Sequence, residues 1–94
     1  MILLHIEHAV PDFDRWKAAF DSDPVGRQVS GVRRYRIVQP VNDPNYAIID
    51  LEFDTLQQAE SLLAAMQQVW KRVGGTLMQN PQWRLSEVVE TKTY

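Results

Sequence analysis

Three features of the 94-residue sequence predict an α+β fold, a four-stranded antiparallel sheet with two helices on one face. Apolar residues alternate with period two over residues 2–9 and 46–53, the mark of strands buried on one side. Two other segments, opening near Asp12 and Asp54, repeat their apolar residues at helical spacing. Turn formers separate the elements, and their order reads β-α-β-β-α-β.

The first strand runs from Ile2 to about Ala9. Ile2, Leu4 and Ile6 share one face, while Leu3, His5 and Glu7 share the other. Pro11-Asp12 breaks the strand, and the Asp12 carboxylate can accept from unpaired amides of a first helical turn. Phe13, Trp16 and Phe20 then define a short amphipathic helix to about Asp21, stopped by Pro24 and Gly26. A second strand is expected over about 32–39. The run Pro40-Val41-Asn42-Asp43-Pro44-Asn45 carries turn formers at nearly every position and reads as a hairpin loop. In the third strand, Tyr46 to Phe53, Ala47, Ile49, Leu51 and Phe53 face one way and Tyr46, Ile48, Asp50 and Glu52 the other.

Asp54 opens the long helix, with Gln57 three residues later completing a pair of the capping-box kind. Leu56, Ala59, Leu62, Leu63, Met66, Val69, Trp70 and Val73 form its apolar stripe, and Gly74-Gly75 is a left-handed stop. After a loop containing Asn80-Pro81, a last strand is expected over about 82–89. Right-handed crossovers place both helices on one face of the sheet, the ferredoxin-like arrangement with spatial order 4-1-3-2.

Composition narrows the function. With 45% hydrophobic and 23% charged residues, 1–94 reads as a single globular domain. Lys and Arg total 10 against 12 Asp and Glu, so the basic excess of a phosphate-neutralising nucleic-acid binder is missing. The chain has no cysteine, which excludes disulfides, thiolate nucleophiles and Cys-based metal sites. Its apolar start ends at His5, and no stretch approaches the roughly 20 apolar residues of a membrane span. Cytoplasmic residence is the corresponding expectation.

Helices cover only one sheet face. The other is expected to carry Leu3, His5, Glu7, Tyr46, Ile48, Asp50 and Glu52, together with Val32, Arg34, Arg36 and Val38 if Tyr35 and Ile37 join the core. Apolar residues interleaved with charges of both signs suit a covered face better than a wet one. A second copy packed face to face would bury them and enclose a pocket lined by the polar ones, so a homodimer is expected. RNA-recognition domains share this topology, but Asp50 and Glu52 on the exposed face of the third strand would repel phosphate.

The run His8-Ala9-Val10-Pro11-Asp12-Phe13-Asp14-Arg15-Trp16-Lys17-Ala18-Ala19-Phe20-Asp21 resembles the opening of small dimeric α/β-barrel proteins. Most similar are members grouped with antibiotic-biosynthesis-monooxygenase-like and "cyclase"-like proteins. Gly31-Val32 leading into Tyr35-Arg36, and Asn42-Asp43-Pro44-Asn45 before an apolar strand and Phe53, continue the likeness in register. The resemblance implies a homodimer whose sheets form a shared barrel, with a cavity between each sheet and its helices or within the barrel. It also implies a cofactor-independent monooxygenase-like or isomerase-like activity, if the protein is an enzyme. Haem-degrading members use an Asn/Trp/His constellation that is not placed on this sequence, so haem chemistry ranks behind.

Candidate site residues follow. His8, at the strand-to-helix junction, can exchange a proton with an enolisable or phenolic substrate, or serve the loop structurally. His5 and Glu7 share a strand face, and with Asp50 could form a carboxylate-oriented imidazole or a polar pair at a dimer interface. His5 and His8 fall on opposite faces, which argues against a shared metal. Arg34, in a strand also holding Arg33, Tyr35 and Arg36, is a candidate anion holder; arginines also guard sheet edges. Tyr46 joins the open-face set. Trp16, Phe20, Met66 and Trp70 suit either an aromatic substrate pocket or the core, and Trp83 could seal the dimer barrel or a cavity mouth. Neither a metal nor a tightly bound cofactor is expected. A non-catalytic dimerisation or ligand-sensing module is the competing reading.

Overall fold

The computed structural model describes residues 1–73, 75 and 77–94. It contains β1 (Ile2–Ala9), α1 (Phe13–Asp21), β2 (Arg34–Val38), β3 (Tyr46–Phe53), α2 (Leu56–Val73) and β4 (Gln79–Glu87). The strands form one antiparallel sheet in the order β2-β3-β1-β4, the expected ferredoxin-like arrangement.

Strand alternation dictates the layering. Leu4 and Ile6 of β1 and Ala47, Ile49, Leu51 and Phe53 of β3 are buried on the face the helices cover. Trp16 and Phe20 of α1 and Ala59, Leu62 and Leu63 of α2 close that core from above. Each such Leu, Ile or Phe contributes about 1.5–3 kcal/mol through burial, so this layer dominates stability. Ile37 packs against the core and Tyr35 meets Phe20 edge-on at 5.2 Å. Among the described residues no helix is long and apolar enough to cross a membrane.

Local chemistry explains the boundaries. Asp12 caps α1, its side chain accepting from the Arg15 amide at 3.3 Å. The 40–45 loop turns at Asn42, whose φ of 68° suits Asn, and Asp43 accepts from the Asn45 amide at 3.1 Å.

Four expectations need correction. The cap of α2 is Thr55, not Asp54: Thr55 Oγ1 accepts from the Gln58 amide at 3.2 Å, while Asp54 pairs with Arg33 at 2.6 Å. β2 is shorter than expected, because the Val32 amide donates to the Arg27 carbonyl in a turn and leaves the ladder. Val32 therefore packs against the core instead of joining the open face. Asn80-Pro81 lies inside β4, not in a preceding loop, and β4 ends at Glu87. The strand absorbs these residues as an irregularity opposite Glu7 and Ala9, with Asn80 at φ 52°; an edge strand tolerates the missing proline N–H. The expected Gly74-Gly75 stop involves Gly74, which lies outside the described residues.

Candidate functional site

Between the sheet and its helices lies a chamber of about 280 Å³. Its wall includes His8, Trp16, Phe20, Met66 and Trp70, so the aromatic and methionine residues named from helical spacing serve core and cavity together. His8 follows Leu4 and Ile6 on the inward face of β1, where it is 2% exposed. Its partner in β3 is Ala47, whose small side chain leaves room for an imidazole.

Geometry determines the state of His8. Nδ1 lies 3.3 Å from the Ala9 carbonyl, which can only accept, so Nδ1 carries the proton. In the neutral ring Nε2 then keeps its lone pair, and among the described residues it makes no hydrogen bond. The ring packs edge-on against Trp16 at 5.3 Å. Burial disfavours the imidazolium and outweighs the carbonyl contact, holding the pKa below the usual 6.5. A buried, neutral imidazole of this tautomer can accept a proton or a hydrogen bond from an acidic ligand group.

Aromatic contacts continue from His8 along the chamber. Trp16 and Phe20 lie 5.3 Å apart, and the Arg27 guanidinium stacks 3.8 Å from the Phe20 ring. Arg27 reaches this position because the chain folds back after α1. Asp23 and Gly26 have φ of 53° and 65°, and Arg27 Nη1 donates to the Phe20 carbonyl at 2.8 Å. Sequence reasoning passed over Arg27. The only signal was an Asp23 four residues earlier, inside a segment without periodicity.

The remaining candidates occupy the other face of the sheet. His5 Nδ1 meets Asp50 at 2.8 Å and Nε2 meets Glu7 at 3.1 Å. Satisfying both carboxylates requires two N–H donors, hence the imidazolium. Partial burial opposes that charge, but the two carboxylates outweigh it and raise the pKa above 6.5. Arg36 approaches Asp50 at 3.4 Å, and Arg34 forks onto Glu52, with Nη2 at 3.1 Å from Oε1. The Arg34 hydrogen bond holds the Glu52 carboxyl below its usual range. Tyr46 lies beside Glu7; burial and that negative charge push its phenol up.

The structure thus gathers His5, Glu7, Arg34, Tyr46 and Asp50 on the open face, and separates them from His8. A cleft of about 380 Å³ there is lined by Leu3, Arg34, Arg36, Asp50, Glu52 and Val88. Trp83 joins neither group. Its register opposite Ile6 puts it on the helix-covered side of edge strand β4, where it is 46% exposed and off the chamber wall.

One sheet, two helices on one side and a chamber between them define a ferredoxin-like α+β protein. No family model matches the chain, and no curated protein matches it in sequence. Solved structures do match. A Deinococcus radiodurans protein inferred to be an antibiotic biosynthesis monooxygenase has a TM-score of 0.73 at 16% identity, covering 100% of this chain and 98% of that one. SnoaB of Streptomyces nogalater, a cofactor-independent oxygenase, has 0.76 at 10%, covering 96% and 94%. A dimeric ferredoxin-like protein from an uncultured marine organism has 0.73 at 10%, covering 99% and 91%. The structural neighbours are therefore antibiotic-biosynthesis-monooxygenase-like ferredoxin-fold proteins, as the His8–Asp21 resemblance implied, and at these identities the fold is what is shared.

The two histidines give opposite pH dependences. His8 has a depressed pKa when folded, so its contribution is complete above pH 6.5 and declines as the pH falls below it. His5 has a raised pKa, so its contribution is complete below pH 6.5 and is lost as the pH rises through the folded value. Urea unfolding between pH 5 and 8 should show His8→Gln flattening the acid side of the stability profile and His5→Gln flattening the basic side. Identical profiles for wild type and both variants would contradict these environments.

Proposed function

We propose that this chain forms a homodimer of ferredoxin-like units and binds a small organic molecule in the chamber between sheet and helices. As an enzyme it is monooxygenase-like or isomerase-like and works without a tightly bound cofactor. The carrying observation is the apolar, aromatic-walled chamber of about 280 Å³ with a buried neutral imidazole on its wall. Natural ligand pockets begin near 300 Å³ and combine apolar lining with few polar groups. His8 is the catalytic residue of this reading: Nε2 removes the proton of an acidic hydroxyl or activated C–H and stabilises the resulting anion as imidazolium. The surrounding Trp16, Phe20 and Trp70 hold an aromatic body and exclude water.

The open face supports the dimer. Leu3, Ile48 and Val38 sit among the His5–Glu7–Asp50 and Arg34–Glu52 groups, and no helix among the described residues covers them. A second copy packed on this face buries the apolar residues and keeps the ion pairs satisfied within each sheet. Glu7, Arg34, Tyr46, Asp50 and His5 then line the space between the two sheets. The dimeric neighbour supports the same reading. Trp83 stays at the barrel edge.

Two measurements test this reading. In calorimetric titration, 1-naphthol should bind wild type, and Met66→Trp, which fills the chamber, should weaken it by about tenfold or more. With hydroxynaphthalenes in air, oxygen uptake or isomerised product should fall by about 10²–10⁴-fold in His8→Gln. Binding without any turnover would favour the ligand-sensing module; unchanged turnover in His8→Gln would remove its catalytic role. Sedimentation at micromolar concentration should give a dimer, and a persistent monomer would contradict the face-to-face packing.

A further inference from the structure

The chamber has an electrostatic bias that the chain as a whole lacks. The protein carries a net charge of −2, yet the described residues of the chamber wall include Arg27 and Arg72 and no Asp or Glu. Arg72 stands at the exposed end of α2, while the Arg27 side chain is only 12% exposed. Its Nη1 forms an ion pair with Asp23 at 3.5 Å, and both residues also line an outer cleft. Among the described residues, the guanidinium makes one hydrogen bond, to the Phe20 carbonyl. Both contacts fall on Nη1, so the Nε and Nη2 donors make no hydrogen bond to another described residue.

Chamber shape adds to this. His8, Trp16, Phe20 and Arg27 form consecutive contacts at 5.3, 5.3 and 3.8 Å, a row with a base at one end and a guanidinium at the other. A flat ring laid along Trp16 and Phe20 meets Arg27 where a substituent can be held by a planar fork. The volume of about 280 Å³ admits one or two rings.

We propose that the chamber is selective for an aromatic carboxylate of one or two rings, with Arg27 as its anion anchor. This rests on the chamber being the ligand site. It moves anion recognition from Arg34, which is committed to Glu52 on the open face, to the helix-covered side. Arg72 adds positive potential at the rim and speeds capture of the anion.

Calorimetric titration with 1-naphthoate and its neutral isostere 1-naphthamide tests the assignment on the full chain. Wild type should prefer naphthoate by about tenfold or more, the scale of a charge-assisted pair. Arg27→Gln should abolish that preference while leaving naphthamide affinity within about twofold, and Arg27→Lys should restore part of it. Equal affinity of wild type for the two probes, or equal weakening of both by Arg27→Gln, would overturn the proposal while leaving the chamber a ligand site. Binding of neither probe would overturn the chamber reading as well. Circular dichroism checks the fold of each variant. If Arg27→Gln fails to fold, the wild-type preference and Arg27→Lys decide.

Discussion

The period-two alternation of β1 is the constraint on which everything else rests. Leu4 and Ile6 lock into the core opposite Leu51 and Ile49, and that lock sends His8 inward and His5 outward. A slip of one residue would exchange the two imidazoles and put Glu7 among Trp16 and Phe20. Burying Leu4 and Ile6, at about 1.5–3 kcal/mol each, opposes such a slip. The position of the candidate base is therefore a by-product of core packing, and no loop needs to be held in place to create it.

The same strand gives its histidines opposite chemistry with very little material. His5 lies between two carboxylates at a half-wet surface, and they favour its imidazolium form. His8 lies against an indole ring and one carbonyl, where burial keeps it neutral. One histidine is suited to ordering charges on the sheet face that the helices leave open. The other is suited to taking a proton in an apolar chamber, where the charge it acquires is expensive unless an anion forms beside it.

Much of this was legible in the residues. Clean alternation in 2–9 and 46–53 specified both sheet faces, and the His8–Asp21 run pointed to the fold family. Other parts were not legible, for physical reasons. Thr55 and Asp54 are both good caps, and the choice between them depends on Arg33, 21 residues away in sequence from Asp54. Pro81 reads as a loop residue, because the backbone irregularity that carries Asn80-Pro81 into edge strand β4 has no periodic signal. Arg27 owes its place to two backbone residues at positive φ and to the Phe20 ring, contacts that carry no periodic signal. The His5–Glu7–Asp50 group and its separation from His8 were legible in the alternation of β1, but the Arg34–Glu52 and Arg36–Asp50 pairs follow from the β2–β3 register.

The central claim is that His8 is a buried neutral imidazole with its proton on Nδ1 and a lone pair on Nε2. Long-range ¹H–¹⁵N correlation of the histidine rings at pH 7, assigned with His8→Gln, measures this directly. The expected spectrum has a protonated Nδ1 and an unprotonated Nε2 at His8, beside a His5 ring that takes up its second proton at a higher pH than His8 does. A His8 ring that is doubly protonated, or that carries its proton on Nε2, would contradict it.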